Sequence, residues 1–240
     1  MRAKALLSWS SGKDSAWTLR ALRERGDVEV VGLLTTINLA FDRVAMHAVR
    51  VELLEAQAAA AGLPLVRVPI PSPCSNVQYE EAMSRAIETA KGQGVSVMAF
   101  GDLFLEDIRR YRIEKLAGTG IRPIFPIWGI PTDVLAREMV AGQLRARLTC
   151  VDPKQLAPSF AGREFDAAFL ADLPSSADPC GERGEFHTFA YDGPMFQRPI
   201  AIRSGEVVER DGFVFADLTL ASAPIASDSP IPGKREGPCP

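Results

Sequence analysis

The stretch LLSWSSGKDSAWTLRAL, residues 6–22, sets an apolar run before a helical pattern and puts Ser10-Ser11-Gly12-Lys13-Asp14-Ser15 between them. Those residue types suit phosphate. Ser10, Ser11 and Ser15 offer hydroxyls, Lys13 offers a positive charge, and the first N–H groups of a following helix point into the same space. Gly12 lets the backbone come close to a ligand. A Walker loop is excluded, because Leu7 stands where its first glycine belongs and Asp14 follows the lysine. A dinucleotide fingerprint is excluded as well, since the turn holds one glycine. Ser10-x-x-Lys13 matches the SxxK string of β-lactamases, but no KTG box accompanies it. The plain alternative is a strand–helix turn with a serine cap and a surface lysine.

Further along, Glu182, Glu185 and His187 lie in a polar, glycine-bracketed segment. Glu185 and His187 are two residues apart and would share one face of an extended chain, where they could hold an ammonium or take its proton. An inter-domain salt bridge with a tight corner at Asp192-Gly193-Pro194 is the structural alternative. Asp102 ends an apolar run and suits Mg²⁺ or a ribose; it equally suits a cap on the next helix. On that helix Arg109 and Arg112 could clamp a carboxylate or phosphate, or simply form a solvated face. His47, one of two histidines, follows a long loop near a helix start; it reads as a substrate contact or as an ordinary surface or core histidine. Cys74, Cys150, Cys180 and Cys239 form no CxxC, and Cys74 and Cys180 read as buried, inert thiols. Cys239 reads as incidental.

The elements that must position these residues alternate over the first two thirds of the chain. Apolar runs at 4–9, 29–36, 64–69 and 95–100 read as strands, with helical periods between them. Over 77–91, Tyr79, Met83, Ile87 and Ala90 share a face, and Ser75 with Gln78 offers a capping box. Helices are also expected over 46–61 and 105–117, and from Thr132 to Gly142. Near-continuous apolar strands alternating with helices imply a parallel sheet covered on both faces. Ligands in such sheets sit at the carboxyl ends of strands, which is where the SSGKDS turn falls. After Gly142 the pattern changes to a half-exposed strand at 144–152 and then two or three antiparallel strands turned at Ser204-Gly205 and Asp211-Gly212. The expectation is an α/β nucleotide-binding domain over 1–142, a smaller α+β domain over 143–220, and a disordered tail over 221–240.

The chain of 240 residues is 47% apolar and 24% charged with a net charge of −3, which describes a globular protein and gives no bias toward nucleic acid or an acidic membrane. No run approaches the ~20 apolar residues of a membrane span. The basic N-terminus has too short an apolar core for a signal peptide, and the dispersed cysteines fit reduced thiols in a cytoplasm.

SSGKDS closely resembles the SGGxDS loop of the PP-loop ATP pyrophosphatases, with Ser11 where that pattern has glycine. Three more stretches narrow the resemblance: FGDLFLEDIRRYRIEKL (100–116), GIRPIFPIWG (120–129) and DPCGERGEFHTFAYDGPMF (178–196). Together they resemble the diphthamide-synthetase family up to about Leu220. The resemblance implies a parallel-sheet ATP-binding fold and amidation of a carboxylate: Mg²⁺–ATP is cleaved between α- and β-phosphates, an acyl-adenylate forms, and ammonia displaces AMP. It implies catalytic roles for Lys13, Asp14, Glu185 and His187 and nucleotide contacts from Ser10, Ser11, Gly12, Ser15, Thr36, Gly101 and Asp102. The implied acceptor site holds His47, Arg109, Arg112 and Glu182. The acceptor carboxylate belongs to a small molecule or a modified protein side chain, and a homo-oligomer is left open. Two other readings stay open at this point, a nucleotide-binding regulator without turnover and a PP-loop tRNA-modifying enzyme, the latter opposed by net charge and cysteine spacing.

Overall fold

The computed structural model describes residues 1–38, 49–71 and 73–221, together with the backbone of 43–44. His47, Cys239 and the expected tail beyond residue 221 lie outside the described residues. The chain runs β1 (Ala3–Ser8), α1 (Lys13–Arg25), β2 (Val28–Asn38), β3 (Arg43–Val44), α2 (Val51–Ala61), β4 (Leu65–Ile70), α3 (Asn76–Gly92), β5 (Val95–Ala99), α4 (Glu106–Leu116) and β6 (Arg122–Ile124). It continues with α5 (Thr132–Ala141), β7 (Arg145–Val151), α6 (Ala167–Asp172), β8 (Phe186–Asp192), β9 (Ile202–Arg210) and β10 (Phe213–Leu220). Among the described residues no helix is long and apolar enough to cross a membrane.

The first sheet is parallel in the order β4-β2-β1-β5-β6, and the last two residues of β2 also pair antiparallel with β3. Alternation along the central strand shows why both faces are covered. Ala5 and Leu7 point into one core with Leu19 and Leu22 of α1, Leu53 and Leu54 of α2, and Leu135 and Met139 of α5. Leu6, between them, points to the other face against Ala82 and Ile87 of α3 and Leu116 of α4. The capping box that starts α3 is present, with the Ser75 hydroxyl accepting from Gln78 N and Gln78 Oε1 accepting from Ser75 N at 2.9 Å. The expected α/β class is therefore what the chain adopts.

The second sheet is antiparallel, β8-β7-β10-β9. Its residues Leu148, Phe186, Phe189, Ala190 and Leu218 join the same apolar core as α1 and α2. One expectation is corrected here: Ser204-Gly205 is no turn. It lies inside β9, where Ser204 pairs with Leu218 and Val207 with Ala216, so Gly205 and Glu206 together oppose Asp217 as a bulge. Glycine suits a bulge as well as it suits a turn, and the single turn falls at Asp211-Gly212. The short β6 and the buried β8 had no periodic signal of their own.

Candidate active site

The chain leaves β1 through Trp9, whose N–H donates to Leu34 O at 2.8 Å, and enters α1 at Lys13. Between them Ser10 and Ser15 face each other, Oγ to Oγ 3.2 Å, and Gly12 N donates to Ser10 Oγ at 3.3 Å. Ser11 sits in the left-handed region, φ 68, and is fully buried. That conformation explains why the resembling loops carry glycine there, and it costs a serine about 1 kcal/mol. Ser11 is held by its carbonyl, which accepts from Ala190 N at 3.0 Å and from Gln57 Nε2 at 2.9 Å. Its Oγ is buried without a hydrogen-bond partner. Ser11→Gly should accordingly raise the thermal midpoint of the protein, by the equivalent of about 1 kcal/mol; a scanning denaturation checks it.

The loop is fastened to the second sheet as well as the first. Lys13 N donates to Thr188 Oγ1 at 3.1 Å, and a side chain at Gly12 would meet the Thr188 carbonyl oxygen at 3.3 Å. Gln57 ties the junction, accepting from Trp9 Nε1 at 2.9 Å and donating to Ala190 O at 2.6 Å. A third connection comes from Gly101 just past β5: a Cβ there would lie 3.0 Å from Thr18 Oγ1 and 3.2 Å from Asp14 O, so any side chain would press on the first turns of α1.

Lys13 is not a surface lysine. Its ammonium is buried, bonded to Asp14 Oδ1 and Oδ2 at 3.0 and 2.8 Å and to the Cys180 carbonyl oxygen, above the rings of Phe165 and Phe186. Burial, the largest single influence, works to strip its proton, but Asp14, Cys180 and Glu182 together outweigh it and the Lys13 ammonium is held above its ordinary value. Glu182 lies within reach of the same charges. Burial pushes its carboxyl up to about 7, with Asp14 and Asp102 adding repulsion against the Leu103 N–H and Lys13. The bond from Leu103 N to Glu182 Oε1 is 2.9 Å. Lys13, Asp14, Asp102 and Glu182 thus form one electrostatic cluster drawn from three separate stretches of chain.

Glu185 and His187 are placed differently from one another. Both Glu185 oxygens are engaged by backbone, accepting from Asp178 N at 2.8 Å and Arg183 N at 3.0 Å, which pins the loop that carries Glu182. Asp178, not singled out by sequence, completes that pinning with bonds from Cys180 N at 2.9 Å and Thr132 Oγ1 at 2.7 Å. His187 sits on β8 opposite Cys150. Burial, with the Lys13 ammonium in addition, holds its imidazole down at about 4 against an ordinary 6.5. The unfolded chain therefore takes up this proton at higher pH than the folded one, so the contribution of neutral His187 is present above 6.5 and is lost as pH falls toward 4. His187→Gln should flatten the stability profile across that window, as urea titrations at a series of pH values would report.

The two arginines also part company. Arg112 is spent on Asp102, Nε to Oδ2 2.7 Å and Nη2 to Oδ1 3.2 Å, so Asp102 is an ion-pair partner and not the cap of α4, whose N-cap is Leu105. Arg109 lies on the rings of Trp128 and Phe125, 4.6 and 5.4 Å from their centroids, with its Nε buried and without a hydrogen-bond acceptor. Its nearest carboxylate, the exposed Glu106, is 3.7 Å away. Gly129 N donates to Leu103 O at 2.9 Å, joining this platform to the backbone that holds Glu182. Thr36 is half-buried on β2 opposite Val68; it is the neighbouring Thr35 that supports the loop, donating to Trp9 O at 2.7 Å. Cys180 and Cys150 are buried, with thiols pushed upward by burial, Cys150 to about 11; Cys74 is half-buried.

The family model described as Diphthamide synthase N-terminal domain matches residues 1–123, and the one described as Diphthamide synthase C-terminal domain matches residues 131–218. A diphthine–ammonia ligase of Bos taurus is 27% identical over 248 residues, covering 91% of this chain and 89% of that protein. That of Danio rerio is 27% identical over 245 residues, covering 91% and 92%. That of Homo sapiens is 29% identical over 144 residues, covering 58% and 52%. The first match takes in the Ser10–Ser15 turn and Asp102, the second takes in Glu182, Glu185 and His187, and the chain belongs to the diphthamide synthase family.

Proposed function

We propose that this chain is an ATP-dependent ligase that activates a carboxylate as its adenylate and converts it to an amide with ammonia. One junction carries the reading: a serine- and lysine-bearing turn at the carboxyl edge of a parallel sheet, fastened to the strand that follows Glu182. The relatives' name, diphthine–ammonia ligase, supplies the reaction class. A carboxylate is a poor electrophile, and adenylation divides one hard substitution into two easier ones. A carboxylate oxygen of the acceptor attacks the α-phosphorus of ATP, and the bond to the β-phosphate oxygen breaks. Ammonia then attacks the acyl carbon and AMP departs with the bonding pair.

In this reading Ser10, Gly12, Ser15 and the N-terminus of α1 hold phosphate oxygens, while Thr36 and Gly101 border the nucleotide. The buried Ser11 hydroxyl, without a partner, fits a loop built around a polyanion. Among the described residues no three His, Cys, Asp or Glu side chains converge as a metal cage. Mg²⁺ would accordingly be held by Asp14 together with phosphate oxygens, its habitual arrangement, and would supply charge neutralisation. Glu182, poised near 7, takes the proton that turns ammonium into the attacking amine. Glu185 and His187 serve this step by shaping the loop and strand around Glu182. Arg109, presented on two aromatic faces with an unused donor, receives an anionic group of the acceptor. Arg109→Gln should raise KM for the acceptor about tenfold with kcat little changed, read from steady-state kinetics.

The test of the whole reading is nucleotide analysis. Protein, Mg²⁺, ATP, ammonium and a pool of cellular carboxylates should yield AMP and pyrophosphate, and a Ser10→Ala/Asp14→Ala variant should not. ADP and phosphate as the products would overturn it. A second reading, a nucleotide-binding regulator, is favoured by one observation: the turn's lysine is spent on Asp14 and the Cys180 carbonyl. Tight ATP binding with no cleavage in any acceptor pool would select that reading.

A further inference from the structure

β9 ends the second sheet, and among the described residues its outer side pairs with no strand. After Ile202 its residues are exposed on both faces, Val207 and Val208 among them. A long unpaired edge of this kind is a template for another strand. We infer that β9 pairs antiparallel with β9 of a second copy of this chain about a two-fold axis at Val208, joining the two four-stranded sheets edge to edge.

The register follows from the backbone. Asp211 (φ 53) and Gly212 (φ 80) form a two-residue turn whose hydrogen bond links Arg210 to Phe213. Backbone groups alternate between the two edges of a strand, so Arg210 and Val208 turn theirs toward β10, and Val207 and Glu209 turn theirs outward. Self-pairing must set outward residues opposite outward residues, which admits registers centred on Glu206, Val207, Val208 or Glu209, the last placing two Glu209 carboxylates at the axis. Centring on Glu206 brings two carboxylates together at the axis. Centring on Val207 sets Glu206 opposite Val208 and leaves Arg210 facing Ser204. Centring on Val208 sets Glu206 opposite Arg210 on both sides of the axis, lets Val207 and Glu209 exchange backbone hydrogen bonds, and makes the two Val208 side chains a close, non-hydrogen-bonded pair. This register alone pairs every charge between 206 and 210 that has an opposite partner available. Glu206, Val208 and Arg210 lie on one face with Phe215, so the ion pairs flank an apolar centre.

Sedimentation of the full chain at tens of micromolar should give twice the monomer mass. Val207→Pro removes an outward N–H while sparing the ladder to β10, and should give a monomer with the parent's circular dichroism and a thermal midpoint that no longer depends on protein concentration. Glu206→Arg and Arg210→Glu should each weaken the dimer about tenfold or more, and the two changes combined should restore it. Val208→Cys should cross-link with itself under a mild oxidant where the parent does not. A monomeric parent, a dimer indifferent to Val207→Pro, or cross-linking by Val207→Cys in place of Val208→Cys would each overturn the inference.

Discussion

Lys13→Met should cost about 3 kcal/mol of stability, the usual loss when one partner of a buried ion pair is removed. The ammonium satisfies both Asp14 oxygens and the Cys180 carbonyl, and it is nearly out of solvent. Methionine has much the same length and leaves Asp14 without its counter-charge beside Glu182 and Asp178, both of which are already in repulsion with the Asp14 charge. A double variant, Lys13→Met with Asp14→Asn, should recover a good part of the loss, because removing both charges removes the uncompensated one. Urea denaturation at pH 7.5 measures both. A loss below 1 kcal/mol in the single variant would instead describe a lysine free to leave its niche, and would favour a direct role on phosphate.

Glu182→Gln should do two things that seldom go together, namely abolish most of the activity and stabilise the protein. The folded state holds this carboxyl near 7 against an ordinary 4.5, so between those values the folded chain binds a proton that the unfolded chain has already lost. Stability from this group is therefore complete below 4.5 and is lost as pH rises toward 7. Glutamine keeps an acceptor for Leu103 N and has no proton to lose. It should gain about 1–2 kcal/mol over glutamate at pH 8 after allowance for solvent screening, and nothing at pH 4.5. In the proposed reaction the same change removes the base, worth about 10²- to 10⁴-fold in rate. The rate profile of the parent should rise through pH 7 and that of the variant should be flat there. Equal stabilities of the two proteins at pH 8 would remove the physical basis of both predictions.

What could be read in advance and what could not follow the range of the forces involved. The capping box at Ser75, the helix ending near Gly142 and the strand that opens into SSGKDS are local, and propensity and spacing within a few residues determine them. The left-handed Ser11 was visible as a serine in a glycine's place. Gly205 was misread because a bulge and a turn make the same local demand on the backbone, and what decides between them is the partner strand. The site shows the same division. The turn was legible, whereas the inward course of Lys13 depends on Cys180, the pinning of the turn depends on Gln57 and Ala190, and the quieting of Arg112 depends on Asp102 ten residues earlier. Asp178 carried no signal beyond an acidic residue among small ones, and its importance comes wholly from the N–H groups that converge on it.

The bond between Lys13 N and Thr188 joins residues 175 positions apart, which has a consequence during synthesis. At ribosomal speeds roughly ten to thirty-five seconds separate the emergence of the turn from that of the strand that fastens it. For that interval the growing chain carries the Ser10–Ser15 turn without the strand that fastens it and without Glu182. On the reaction proposed above, a prematurely ended chain lacks the base of the amidation step, and the order of translation leaves the turn idle until Glu182 and its strand arrive.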